Sequence, residues 1–222
     1  MVKIMLDAGH GGSDGGASAN GLLEKNLTMK IVKKISEMLQ DYTGYELYYT
    51  RTNQSGVTLK QRTDGANKMG VDLFLSIHIN AGGGDGFESY IYKTLSNSSK
   101  TNKLRNTLHK QVIKSTKWKD RGKKKENFHV LRETKMHAIL TENGFIDNSK
   151  DASKLKQDAF IEKIARGHVN GLVKIYGLKK KNRGSSNVMY EVIAGTFKNK
   201  GNADEQAKKI KKAGFDAYVK KE

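Results

Sequence analysis

The stretch Val2-Lys3-Ile4-Met5-Leu6-Asp7-Ala8-Gly9-His10-Gly11-Gly12-Ser13-Asp14-Gly15-Gly16, running on to Gly21-Leu22-Leu23-Glu24, decides how the rest of the chain is read. Val2 to Leu6 is a short apolar run that reads as a buried strand. Leu27, Ile31, Ile35, Met38 and Leu39 recur at helical spacing and predict a helix from about Glu24 to Gln40. A glycine-dense loop between a strand and a helix, carrying a histidine and an acid, is where open α/β folds place their chemistry. Such glycines can cradle a phosphate on the helix N-terminus, but neither G-x-G-x-x-G nor G-x-x-x-x-G-K-[ST] is present. The alternative is a loop that turns so that His10 and Glu24 converge on a metal.

Outward from that loop, the pattern predicts strands at Tyr45–Arg51 and Asp72–Ile77, the latter ending in His78-Ile79-Asn80, with a helix Leu59–Met69 between them stopped by Gly70. A further strand is expected at Phe87–Tyr92 after the loop Ala81–Gly86, then a polar helix from Asn97 to about Thr116. Trp118–Lys125 reads as a solvated basic loop. Phe128–Arg132 and His137–Thr141 read as the last strands, the second ending in Glu142-Asn143-Gly144-Phe145, and a core-facing helix closes the domain at about Asp158–Tyr176. The expected fold class is α/β, a mostly parallel sheet flanked by helices. Lys179–Asn187 turns abruptly to charge, Gly and Ser and reads as a linker. After it, Met189–Phe197, Ala203–Ile210 and Phe215–Val219 suggest a small βαβ unit, which at about 35 residues is under the roughly 40 that usually fold alone. The domain plan is therefore 1–178, a linker 179–187 and a tail 188–222.

Composition narrows the chemistry. With no cysteine among 222 residues, disulfides, thiolate ligands and a cysteine nucleophile are excluded, so any metal is held by His, Asp or Glu. No apolar run is long enough to span a bilayer, and the N-terminal apolar segment is too short for a secretory signal. The expectation is synthesis in the cytoplasm without signal-directed export. A net charge of +18 suits a polyanionic surface: nucleic acid, anionic lipid or an anionic cell wall. Of it, +7 lies between Lys179 and Glu222, which hold 12 basic and 5 acidic residues.

His10, Glu24, His78 and Glu142 all fall at the C-terminal ends of expected strands or just beyond them, where parallel sheets gather their sites. Two histidines and a carboxylate make a three-ligand zinc set with an open fourth position, and Glu142 suits the proton-transferring carboxylate beside it. His109, His129, His137 and His168 lie in helices or strands without such partners and are read as structural.

The strings Asp7-Ala8-Gly9-His10-Gly11-Gly12, Gly21-Leu22-Leu23-Glu24-Lys25, Arg51-Thr52, Arg62-Thr63 with Ala66-Asn67, Ser76-Ile77-His78-Ile79-Asn80-Ala81 and Glu142-Asn143-Gly144-Phe145-Ile146-Asp147-Asn148 resemble the zinc N-acetylmuramoyl-L-alanine amidases of the Amidase_3 family, in that family's order, over about Met1 to Gly177. The resemblance implies hydrolysis of the amide between N-acetylmuramic acid and L-alanine of peptidoglycan and so lysis of bacterial cell wall. It implies Zn2+ on His10, Glu24 and His78, Glu142 as the catalytic carboxylate, and Asn80 as a substrate or supporting residue. His137 stands where members of the family often have proline, which bears on the local turn. In the tail, Tyr190-x-Val192-x-x-Gly195-x-Phe197, Asn202-Ala203 and Ala213-Gly214-Phe215-Asp216-Ala217 resemble one half of a SPOR domain, a peptidoglycan-binding module of two βαβ halves. Half a module implies a homodimer through paired tails. The expected enzyme is a phage endolysin or a sporulation-lysis amidase, acting on the wall after release, with no specific nucleic-acid partner. Two rivals carry different signatures. A polyanion-binding protein would use the tail, which lacks an R-G-F-G-F run; a wall glycosidase needs two carboxylates and no metal.

Overall fold

A computed structural model describes residues 1–181, 194–214 and 217–220. The chain divides into two compact units, Met1–Lys181 and Asn182–Glu222. In chain order the elements are β1 (Val2–Ala8), β2 (Ser18–Ala19), β3 (Leu22–Leu23), α1 (Glu24–Leu39), β4 (Tyr42–Thr43), β5 (Tyr45–Tyr49), α2 (Leu59–Met69), β6 (Leu73–Asn80), β7 (Phe87–Tyr92), α3 (Lys100–Thr116), β8 (Asp120–Glu126), α4 (His129–Arg132), β9 (His137–Phe145), α5 (Ser149–Leu155), α6 (Asp158–Tyr176), β10 (Lys179–Lys180) and α7 (Lys200–Lys212).

Six strands form one sheet in the order β5-β1-β6-β9-β7-β8. Pairing is parallel except between β7 and β9, so the α/β, mostly parallel class expected from sequence is the one observed. The period-two alternation of a strand sorts side chains between the two faces. Ile4, Leu6, Leu73, Leu75, Ile77, Phe87 and Ile139 point to the face covered by α1, α3 and α6 and join the larger core, in which Ile164, Val169 and Leu172 of α6 are also buried. Met5, Phe74, Tyr90 and Leu140 point to the other face, with Val130 and Leu131 of α4 and Ala66 of α2. His78, Glu142 and Glu88 share that second face, and the ladder places them in one row across β6, β9 and β7.

Helix boundaries follow local chemistry. Thr58 and Gln61 make a reciprocal capping box at the start of α2, and Gly70 ends it in the left-handed region at φ 56°. Two sequence expectations fail in this unit. Trp118–Lys125 is not a solvated loop: Asp120–Glu126 pairs in parallel with β7 as the sheet's edge strand, where lysines are tolerated because one side of the ladder faces water. Trp118 is 4% exposed, donates Nε1–H to Asp151 Oδ1 at 3.0 Å and packs edge-on against Phe160. Phe128–Arg132 is a single helical turn, α4, not a strand; only Val130 and Leu131 are buried there, too short an apolar run to separate the two by pattern. The hairpin β2–β3 and the short helix α5 carry no periodic signal long enough to predict them.

In the second unit α7 covers the expected tail helix. The expected strands Met189–Phe197 and Phe215–Val219 fall partly on residues outside the described ones, and the described 194–197 and 217–220 belong to no strand. Among the described residues no helix is long and apolar enough to cross a membrane.

Candidate active site

β1 delivers the chain to Gly9 and His10 at the C-terminal end of the sheet. His10 sits in the left-handed region at φ 61°, costly for a residue with a side chain, and the surroundings hold it there. Two buried guanidinium groups do so through backbone carbonyls. Arg62, from α2, donates Nη2–H to His10 O at 2.7 Å and Nη1–H to Ala8 O at 2.8 Å and to Asp7 Oδ1 at 2.6 Å. Arg51 reaches Ala8 O, Gly9 O and Lys25 O, at 2.9, 3.0 and 2.9 Å. Asp7, fully buried, also accepts from Ser76 and Thr50 hydroxyls, both at 2.6 Å. Burial would raise its carboxyl, but Arg62 and these hydroxyls hold it below the usual range.

Glu24 is the first residue of α1, where the helix dipole favours a carboxylate, and it is 4% exposed. Its Oε2 lies 3.2 Å from His10 Nε2 and accepts from Ala17 N at 2.9 Å; its Oε1 lies 3.0 Å from His78 Nδ1 and accepts from Ile79 N at 3.0 Å. One atom from each of His10, Glu24 and His78 lies within 4.8 Å of the others. The two rings meet edge to face, with centroids 5.0 Å apart. Two glycines are required by this closeness. A Cβ on Gly9 would lie 2.3 Å from the His78 ring, and one on Gly16, at φ 66°, would lie 2.6 Å from Glu24 Oε2.

The donor set fits a divalent metal that takes imidazole and carboxylate. Asp14 Oδ2 holds His10 Nδ1 at 2.9 Å, which fixes the ring's orientation and turns Nε2 toward the cluster, the outer-carboxylate arrangement common at metal-bound histidines. Burial would raise the Glu24 carboxyl, yet its bonds to His10 and His78 hold it far below the usual carboxylate range, so it is anionic and ready to bind a cation. His10 is raised, first by its hydrogen bond with Glu24, so protons compete with a metal there.

Glu142 lies on β9 directly opposite His78. Its Oε2 is buried with no hydrogen-bond partner among the described residues. Burial, then the negative charges of Glu24 and Glu88, push its carboxyl well above the usual range. A carboxylate whose proton affinity is raised in this way, beside a cation site, is suited to accept and pass on a proton.

The structure thus brings His10, Glu24 and His78 together and sets Glu142 in the next strand. Asn80 is adjacent, but its side chain is engaged locally: Nδ2 donates to Glu88 Oε2 at 3.1 Å and Oδ1 accepts from Ala81 N at 2.8 Å. Sequence reading gives no role to Arg51, Arg62, Asp14 or Glu88. The signal available is the acid Asp7 at the end of an apolar strand, which needs a cation once buried. The remaining described histidines with hydrogen bonds are accounted for. Ser89, His109 and Asp120 form a hydrogen-bonded chain at 2.7 and 2.8 Å, but Ser89 is fully buried, so this triad-like order of groups has no access to substrate. His137 binds Thr101 at 2.8 Å and His168 binds Thr141 at 3.1 Å.

Residues 4–174 match the Amidase_3 family, N-acetylmuramoyl-L-alanine amidase, and residues 150–221 match the SPOR domain family. The SPOR match begins inside the first unit, where α5 and α6 pack on the amidase sheet; only its part beyond Lys181 lies in the second. The chain is 50% identical over 220 residues to the sporulation-specific N-acetylmuramoyl-L-alanine amidase of Bacillus subtilis (strain 168), covering 99% of this chain and 84% of that protein. It is 46% identical over 191 residues to the endolysin of Bacillus phage SPP1, covering 84% and 70%. Among solved structures, the catalytic domain of CwlV, an N-acetylmuramoyl-L-alanine amidase from Bacillus (Paenibacillus) polymyxa var. colistinus, superposes with a TM-score of 0.76 at 32% identity over 81% of this chain and 100% of that one. Fold, sequence and the composition of the strand-end cluster agree, and the chain belongs to the Amidase_3 family of N-acetylmuramoyl-L-alanine amidases, enzymes of peptidoglycan.

Proposed function

We propose that the amidase is zinc-dependent, with the metal held by His10, Glu24 and His78 and proton transfer carried by Glu142. The observation that carries this reading is the convergence of two imidazoles and a buried carboxylate within 4.8 Å, next to Glu142, whose buried Oε2 has no hydrogen-bond partner among the described residues. Zinc in that position would polarise the scissile carbonyl and acidify a water. Glu142 would take the proton released as water adds to the lactyl carbonyl and pass it to the nitrogen of L-alanine, so that the C–N bond breaks to a carboxylate and a free amine. Arg51 and Arg62 hold the His10 loop, and Asn80 holds the turn after β6, before any substrate arrives.

Action on the wall at a lytic stage, after synthesis in the cytoplasm, is supported by the sporulation-specific and endolysin relatives. Cell-wall binding by the tail is supported by its SPOR match. Pairing of two tails is supported only by the unit's size and by α7, which buries none of its residues; a monomer by light scattering at micromolar concentration would remove it.

The test of the zinc site is a wall digest with and without chelator. Free amino groups should appear without new reducing sugar ends, stop on chelation and return with zinc. Glu142→Gln should keep zinc but lose about 10²- to 10⁴-fold in turnover, whereas His78→Ala should lose both. Full activity in excess chelator, or normal turnover by Glu142→Gln, refutes the assignment.

A further inference from the structure

Past Glu142, the same row of the sheet continues to a carboxylate that the hydrolysis does not use. Glu88, on β7 opposite Glu142, is 1% exposed. Its Oε1 accepts from Arg121 Nε and from Lys124 Nζ, each at 2.6 Å, and its Oε2 accepts from Asn80 and from the Tyr90 hydroxyl. Burial alone would raise the Glu88 carboxyl, but these partners hold it below its ordinary range, so the cluster is one anion against two cations. The Arg121 guanidinium also lies 4.8 Å over the face of the buried Phe145 ring. Its Nε and its plane are thereby fixed, while neither Nη makes a hydrogen bond among the described residues, and the side chain is 30% exposed. An oriented guanidinium fork with free Nη groups and a surplus positive charge beside it is complementary to a carboxylate.

Distance says which carboxylate. β8 lies two strands beyond β9, about 10 Å at the usual strand spacing, which an extended peptide spans in about three residues. The glycan side of the scissile bond has lost its acid to the amide, so free carboxylates near the bond belong to the stem peptide. We propose that Arg121 binds a free carboxylate on the second or third residue of the stem peptide, with Lys124 reinforcing the field, and so sets which peptides are cleaved. This rests on the reading of Glu142 as the group at the scissile amide.

The experiment uses zinc-loaded full-length enzyme and two synthetic muramoyl peptides that differ only in carrying free carboxylates or carboxamides at the residues after L-alanine. Wild type should favour the carboxylate peptide by about tenfold to hundredfold in kcat/KM, chiefly through KM, with the ratio shrinking as salt rises. Arg121→Ala should bring the ratio close to one, and Arg121→Lys should restore part of it. A merely structural Arg121 would lower both substrates together and leave the ratio unchanged, which overturns the proposal; so does a wild-type ratio near one. Failure of the underlying reading shows separately, as Glu142→Gln that turns over normally.

Discussion

Arg62→Met tests whether the His10 loop is held by buried charge. The substitution keeps an apolar stem of similar length and strips the donors that reach Asp7 Oδ1, Ala8 O, His10 O and Val57 O. Arg62 is 4% exposed and Asp7 0%, so water cannot replace the lost bonds and Asp7 is left as an uncompensated buried charge. Breaking such a pair costs about 3–5 kcal/mol, which for a domain of this size lowers Tm by about 6–20 °C. Urea unfolding of chelator-treated protein measures it without the stabilisation that a bound metal would add. The cycle with Asp7→Asn is the decisive arm. Because the introduced amide carries no charge yet can still bond Ser76 and Thr50, the double variant should be more stable than the sum of the singles by about 1 kcal/mol or more. With the His10 carbonyl released from Arg62, zinc affinity should fall as well. A loss under about 1 kcal/mol, or additivity within about 0.5 kcal/mol, would refute the account.

Other outcomes follow from single contacts. Asp14→Ala frees the His10 ring from its outer carboxylate and should weaken zinc binding about 10- to 100-fold with the fold intact; an unchanged affinity by competition with a chromogenic chelator rules out that orienting role. His168 is fully buried, and burial pushes it down to about 4 from an ordinary 6.5. Since the unfolded chain takes up that proton first, stability should fall as pH drops from about 6.5 toward 4, by about 2 kcal/mol between pH 7.5 and 5. His168→Gln should flatten that part of the profile, and a profile of the same slope in the variant assigns the loss elsewhere.

The first helix, the strands at β1, β6, β7 and β9 and the helix α6 are legible in the sequence because their apolar periodicity is strong. The zinc-type residues are legible because a parallel sheet brings the ends of its central strands together, so His10, Glu24, His78 and Glu142 need only their positions in the pattern. β8 is not legible. Asp120–Glu126 is charged along almost its whole length, and what makes it a strand is pairing with β7, a contact between residues about 30 apart in the chain. Trp118 in a basic stretch likewise reads as solvent-exposed, and only the arrival of Asp151 and Phe160 buries it.

By itself, then, the sequence determined the α/β class and the strand-end positions of His10, Glu24, His78 and Glu142, properties of local pattern and strand polarity, and the order of its motifs carried the resemblance to the catalytic family. The tertiary structure decided how those residues are held and charged. Arg51 and Arg62 come from separate elements to grip the carbonyls of the His10 loop, and burial beside Glu24 and Glu88 raises Glu142. The row that leads from His78 through Glu142 to Glu88 and Arg121 exists only once four strands far apart in the chain lie side by side. Desolvation and charge proximity depend on which surfaces meet, and no local window of the chain contains that information.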